Sequence, residues 1–397
     1  MEAPGWQQLL GERVSALSAK RRRRLRYLTR STAADQHGSS EPSLLTEQGS
    51  ALLDLASNDY LGLNGHPAVM AAAQQVICAE GVGAGGSRLV TGHRPIHAIL
   101  ERALATWLGR DQTLLFPSGF QANLAAVMAL ADRHSLVLAD RLIHNSLLTG
   151  VRASGARLQR FLHNDLSDLA RKLEAARQRS PQQRLVVLSE SLFSMEGTSP
   201  DVPALAELCE RYDAALILDE AHALGILGSG GRGLGHGVPS IALICGTFGK
   251  AFGSGGAFLA GDDTVMEWLL QTSGAFRYTT ALAPPLAAAA LAALKVIQAT
   301  DPGPALLRRA QRWRDALEAA GWPRPAGSGP ILPLLIGADA EALALQERLE
   351  AAGLLAVAIR PPTVPEGTAR LRLVLRQGLP SGSLEKLLNA LGPGPCR

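Results

Sequence analysis

Two stretches decide the reading of this chain: Ala214-Ala-Leu-Ile-Leu-Asp-Glu-Ala-His222 and Ile241-Ala-Leu-Ile-Cys-Gly-Thr-Phe-Gly-Lys250. Each opens on an apolar run without polar alternation, the pattern of a strand buried on both faces. Each then closes on polar chemistry, Asp219 and His222 in the first and a glycine-flanked Lys250 in the second. The 31 residues from Asp219 to Lys250 make one strand–helix–strand step.

The same rhythm extends outward. Apolar runs at Thr113–Phe116, Leu136–Ala139, Leu185–Leu188 and Gly256–Ala260 alternate with helical patterns such as Gln121–Ala131, Ser167–Arg177 and Pro203–Tyr212. This predicts an α/β fold with a mostly parallel sheet, whose ligands bind beyond the carboxyl ends of the strands. An Ala- and Leu-rich helix over 282–300 leads to a helix near 305–320 and to strands at Leu332–Ile336, Leu354–Ile359 and Arg370–Leu375, a smaller α+β domain. The expected division is an N-terminal helical segment (1–46), a large α/β domain (47–285) and a small C-terminal domain (286–397).

Composition narrows the class. Of 397 residues, 47% are hydrophobic and 19% charged, which fits a globular chain with a sizeable core. A net charge of +4 gives no reason to expect a nucleic-acid partner. The basic run of Lys20, Arg21, Arg22, Arg23, Arg24 and Arg26 follows Trp6, Leu9, Leu10, Val14 and Leu17 at helical spacing, so it reads as a solvated face or a local substrate contact. Cys78, Cys209, Cys245 and Cys396 form no C-x-x-C pair, so neither a disulfide framework nor a metal site is expected. Ala281–Leu294 is shorter than the roughly 18 residues of a membrane span and is broken by Pro284 and Pro285. With no secretory signal visible, a cytoplasmic protein without a membrane partner is the expectation.

The chemistry gathers at strand ends. A carboxylate such as Asp219 at the ligand crevice keeps a pyridine nitrogen protonated, and His222 would reach a phenolic oxygen on the same ring. Alone, Asp219 reads equally well as a polar strand end with a helix cap. Lysine is rare here, at positions 20, 172, 250, 295 and 386, and of these Lys250 alone lies among glycines at a strand end. Phe248 and Phe252 on either side argue against a surface turn. A lysine with little water and nearby cations becomes a usable nucleophile and base. Ser118-Gly119-Phe120 opens a helix after a strand, an anion site suited to a phosphate. His144 and Ser194 follow two further strands. His144 is a candidate to stack on a ring, although a lone histidine is more often structural.

The motifs SNDYLGL (57–63), GGSRLVTG (85–92), PSGFQAN (117–123), DRLIHNSLL (140–148), LDEAHALG (218–225), GTFGKAFG (246–253) and RPPTVPEGTARLRL (360–373) together resemble the α-oxoamine synthases, fold-type-I pyridoxal-phosphate (PLP) enzymes of aspartate-aminotransferase-like fold. The resemblance covers residues from about 20 to 395. It implies that Lys250 attaches the cofactor, Asp219 pairs with its ring nitrogen, His222 and Ser194 meet its phenolic side, His144 stacks on the ring, and Gly119, Phe120 and Thr247 hold the phosphate. Arg24, Asn58 and Thr363 fall on substrate positions and Arg372 on the amino-acid carboxylate. It further implies homodimers with the active site at the subunit interface, and a decarboxylating condensation of L-alanine with a pimeloyl thioester of coenzyme A or acyl carrier protein, in biotin biosynthesis. Arg370, Arg372 and Arg376 share one face of a strand, with surface charge the bland expectation for Arg370 and Arg376.

Three rivals stand beside this reading. One is a sister synthase taking glycine or serine with another acyl thioester. Another is a nicotinamide oxidoreductase, because Gly81-Val82-Gly83-Ala84-Gly85-Gly86 matches G-x-G-x-x-G with Glu101 about twenty residues on; yet Pro67–Glu80 before it has a helix pattern, not a strand. The third is a catalytically silent partner subunit, against which Lys250 itself argues.

Overall fold

The structure is a computed structural model that describes residues 5–17, 25–30 and 43–394. Two compact units divide at Leu53/Asp54. The first carries the helix Trp6–Ala16, whose apolar residues are solvent-exposed, and the short strands β1 (Thr29–Arg30), β2 (Ser43–Leu45) and β3 (Ala51–Asp54), with β2 antiparallel to both neighbours.

The second unit is organised by seven strands: β4 (Gln112–Phe116), β5 (Leu136–Asp140), β6 (Arg157–Phe161), β7 (Leu185–Glu190), β8 (Ala214–Asp219), β9 (Ile241–Thr247) and β10 (Ala257–Gly261). Their order is β4-β10-β9-β8-β7-β5-β6. All lie parallel except β10, which runs antiparallel to β4 and β9. One face of the sheet packs Val137, Val186, Ile217, Leu243 and Leu259 against Ala122, Ala125 and Ala126 of the helix Gly119–Leu130. The alternate residues Leu138, Val187, Leu216, Leu218 and Phe258 are also buried, on the opposite face. Burial on both sides is why these strands read as unbroken apolar runs.

The expected strand and helix positions hold to within a few residues, but β6 was not foreseen. Its sequence, Arg-Leu-Gln-Arg-Phe, is exposed at four of five positions, because β6 is the edge of the sheet and only Phe161 turns inward. Beyond the helix Pro284–Thr300, the strands β11 (Ile331–Gly337), β12 (Leu354–Leu355), β13 (Val357–Ile359) and β14 (Ala369–Val374) follow, with β14 at the centre of the antiparallel sheet β11-β14-β13. Among the described residues no helix is long and apolar enough to cross a membrane, and no cluster of His, Cys, Asp and Glu is placed to hold a metal.

Candidate active site

The carboxyl ends of β4, β5, β7, β8 and β9 converge on one cavity of about 210 Å³. After β4, Ser118 caps the helix Gly119–Leu130 by accepting from Gln121 N, and Ala122 N–H starts the helical ladder by bonding Ser118 O. Gly119 and Phe120 precede that ladder, so their N–H groups are among those a helix start leaves for a ligand. After β5, His144 caps the helix Asn145–Ser154. After β8 come Asp219 and His222, and after β9 Thr247 and Lys250; all of these line the cavity.

Lys250 is held by its turn. Phe248 and Phe252 are fully buried, edge to face with one another, and Phe252 packs on Trp107. Gly253 N–H bonds Lys250 O. Gly253 has φ +61°, and a Cβ there would stand 2.1 Å from Asn64 N, so only glycine closes this turn. Burial pushes the Lys250 ammonium down to about 8, against the pull of Asp219. Among the described residues nothing hydrogen-bonds its Nζ.

Asp219 is wired into a chain. Its Oδ1 accepts Ala221 N–H at 2.9 Å and its Oδ2 accepts Asn123 Nδ2 at 2.7 Å. Asn123 also donates to Ser146 Oγ at 2.9 Å, and Ser146 Oγ lies 2.6 Å from His144 Nδ1. Ser146 N–H points to that same Nδ1, so Nδ1 is the acceptor and the imidazole is neutral with its proton on Nε2. Burial lowers the His144 pKa, in keeping with this. His222 Nδ1 shares a 2.5 Å hydrogen bond with the buried Tyr60 Oη. Burial, reinforced by Lys250, pushes His222 well down, and burial pushes Tyr60 up to about 12.

Not every expected residue lies in this cavity. Ser194 and Thr363 line an adjoining groove of about 580 Å³ that reaches His144 and the exposed Arg141 and Arg160. The Ser194 carbonyl accepts Arg372 Nε at 2.6 Å, and Arg372 Nη2 donates to Asn58 Oδ1 at 2.9 Å. Arg24 lies outside the described residues. The bland expectation for two arginines is overturned: Arg370 is buried against Glu196 and Arg376 against Asp54. Asn123, Ser146, Glu190 and Tyr60 were not singled out from sequence. Glu190 ends a buried strand just as Asp219 does, and that signal was available. Tyr60 meets a residue 162 positions away, for which no local pattern exists. The glycine loop 81–86 follows the helix Pro67–Glu80, and Glu101 is paired with Arg88 through two hydrogen bonds, which removes the dinucleotide geometry.

The donor set suits a phosphorylated pyridine aldehyde. The helix start offers N–H donors for an anion, beside Thr247, whose hydroxyl donates to Gly256 O at 3.1 Å and accepts Gly249 N–H at 3.3 Å. Asp219 offers a carboxylate for a ring N–H, and Lys250 an amine without a competing partner. Fold and site together define a fold-type-I PLP-dependent enzyme. A family model for aminotransferase class I and II matches residues 50–391, and the chain belongs to that family. It is 43% identical over 352 residues to an 8-amino-7-oxononanoate synthase of Stutzerimonas stutzeri, covering 87% of this chain and 88% of that protein. It is 39% identical over 391 residues, 96% of each chain, to the protein of the same name in Cellvibrio japonicus. The serine palmitoyltransferase of Sphingomonas wittichii superposes with a TM-score of 0.86 at 26% identity, covering 96% of this chain and 95% of that one.

Proposed function

We propose that this chain condenses L-alanine with a pimeloyl thioester, of coenzyme A or acyl carrier protein, releasing carbon dioxide and the thiol and forming 8-amino-7-oxononanoate for biotin biosynthesis. The observation that carries the reading is 43% and 39% identity, along most of the chain, to proteins of that name. The α/β shape is shared with serine palmitoyltransferase, so sequence rather than architecture favours this member over its sisters. We further place the working enzyme in the cytoplasm as a homodimer with the active site at the subunit interface, built from the three segments 1–46, 47–285 and 286–397.

Bound PLP supplies an electron sink conjugated to the amino acid's α-carbon. Lys250 Nζ would be the point of attachment for the cofactor and, as a free amine, the base for the α-proton. Its depressed pKa suits that work, since a neutral amine is present near physiological pH. The Asp219 carboxylate holds a proton at the ring nitrogen, with Asn123 and Ala221 N–H fixing its plane. His144 and His222 would hold the ring from within the cavity, and Ser194 would reach its phenolic side from the groove that adjoins the cavity at His144. Gly119, Phe120 and Thr247 bind the phosphate. Arg372 binds the amino-acid carboxylate while Asn58 and the Ser194 carbonyl orient its guanidinium. Arg24 and Thr363 serve the acyl chain.

A pimeloyl chain ends in a carboxylate that acetyl and palmitoyl chains lack. Burying that charge unpaired is costly, so a site built for it discriminates against uncharged chains. The test is kcat/KM with L-alanine, glycine and serine across acetyl, succinyl, pimeloyl and palmitoyl thioesters. L-alanine with pimeloyl should lead. A lead for glycine or serine, or for acetyl or palmitoyl, refutes the assignment while leaving the PLP chemistry standing.

A further inference from the structure

Glu190 is a buried carboxyl for which the reaction just described has no use. It is the last residue of β7, and its register partner across the parallel ladder is Asp219, the last residue of β8. Side chains of register partners leave the sheet on the same side, about 5 Å apart. Both acids therefore face the cavity that holds Lys250, and both are buried. Two carboxylates side by side with so little water do not both ionise readily. They differ in their donors. Asp219 accepts two N–H groups, from Asn123 and Ala221, whereas Glu190 accepts one, from His144 N to Oε1 at 2.7 Å. The site's proton therefore belongs on Glu190.

That single bond reaches the residue that matters. His144 is the N-cap of the helix Asn145–Ser154, and its N–H belongs to the turn that aims the imidazole into the cavity. The Ser146–Asn123–Asp219 chain holds the ring from one side, and Glu190 holds the backbone from the other. We infer that Glu190 is a positioning residue of the reaction, a neutral carboxyl that fixes His144 through its backbone N–H and leaves Asp219 as the sole carboxylate beside Lys250. Burial and the neighbouring Asp219 push Glu190 well above the usual carboxylate range, with Lys250 and the His144 N–H opposing the push and Glu196 adding the least to it. The inference rests on the cofactor reading of this cavity and not on the identity of the acyl chain.

Two measurements on the purified holoenzyme test it. Infrared difference spectra of wild type against Glu190→Gln at pH 7 should show a carboxylic-acid C=O stretch that the variant lacks. Carboxylate bands in its place would overturn the neutral state. The second is exchange of the α-proton of L-alanine in heavy water, which needs no acyl partner. Glu190→Ala should slow it at least about tenfold, chiefly in kcat, as misplacement of a site group does. Glu190→Gln keeps an oxygen for His144 N–H and should restore most of that loss. Exchange as slow in the Gln variant as in the Ala variant would overturn the positioning role, since an oxygen for His144 N–H would then not be what the site needs. A wild-type rate in the Ala variant would remove it from the site altogether. Wild-type enzyme that exchanges glycine or serine but not alanine would refute the proposed substrate, and the same comparison then decides Glu190 on that amino acid.

Discussion

Asp219 and Glu220 are neighbours in sequence and both are buried, yet they serve opposite sides of one strand end. Asp219 faces the cavity, with both oxygens taking N–H donors beside Lys250. Glu220 faces away. Its Oε1 accepts Ser191 Oγ at 2.6 Å and Gly235 N at 2.7 Å, and its Oε2 is buried without a hydrogen-bond partner. Around it wraps the glycine-rich loop 228–237, so closely that a Cβ on Gly233 would meet Oε2 at 1.5 Å. The alternation of side chains along an extended backbone thus gives one acid to chemistry and the next to architecture. Burial alone does not mark a functional carboxylate; what it faces does.

The cavity side should fail catalytically. Lys250→Ala removes both the point of covalent attachment and the base, so turnover should fall by on the order of 10⁴-fold or more. Borohydride reduction and peptide mapping of the wild type should place the cofactor on Lys250. Label on another lysine, or on none, would dissolve the distinction between the two sides of the strand end.

Asp219→Asn comes next. An amide cannot keep the pyridine nitrogen protonated, so the variant should bind cofactor yet lose about 10²-fold or more in α-proton abstraction, about 2.7 kcal/mol. Exchange at the wild-type rate would strip Asp219 of its role and make it as architectural as its neighbour.

The same contrast explains what was legible in the sequence. Strands β4, β5 and β7–β10 are buried on both faces and announced themselves as apolar runs, and the residues at their ends inherited the crevice. The edge strand β6 carries the polar surface of an edge and gave no such signal. Within the site, Asp219, His144 and Lys250 stood out because of their chemistry at strand ends. The bonds that orient them were hidden, because they join residues far apart in the chain: Asn123 to Asp219, Glu190 to His144, Tyr60 to His222. Arg370 and Arg376 looked like surface charge, since their buried partners Glu196 and Asp54 lie 174 and 322 residues away in the chain. Alternation along an extended chain sends Asp219 and Glu220 to opposite sides, but nothing local in the sequence says which of the two faces the ligand.

The smallest effect should come from the architectural acid, and pH exposes it. Burial pushes Glu220 up to about 7, against hydrogen bonds from Ser191 and Gly235. Below the ordinary glutamate range, folded and unfolded chains both hold this proton and it does not affect stability. As pH rises from about 4.5 toward 7, the unfolded chain releases the proton while the folded chain keeps it, so stability falls. Above about 7 both forms are ionised and the loss is complete, of order 3 kcal/mol. Glu220→Gln presents the same oxygen to Ser191 and Gly235 and puts its NH₂ where the acid carries its proton. The gap in denaturation midpoint between variant and wild type should therefore move in the variant's favour as pH rises from about 4.5 to 8, on top of the pH-independent cost of an NH₂ without a partner at Oε2. Its kcat should stay close to wild type, because Oε1 and Oε2 both point away from the cavity. A gap that moves in the variant's favour toward acid would mean the carboxylate is the form the fold prefers. A loss of turnover as large as that of Asp219→Asn would show that both acids work on the same side.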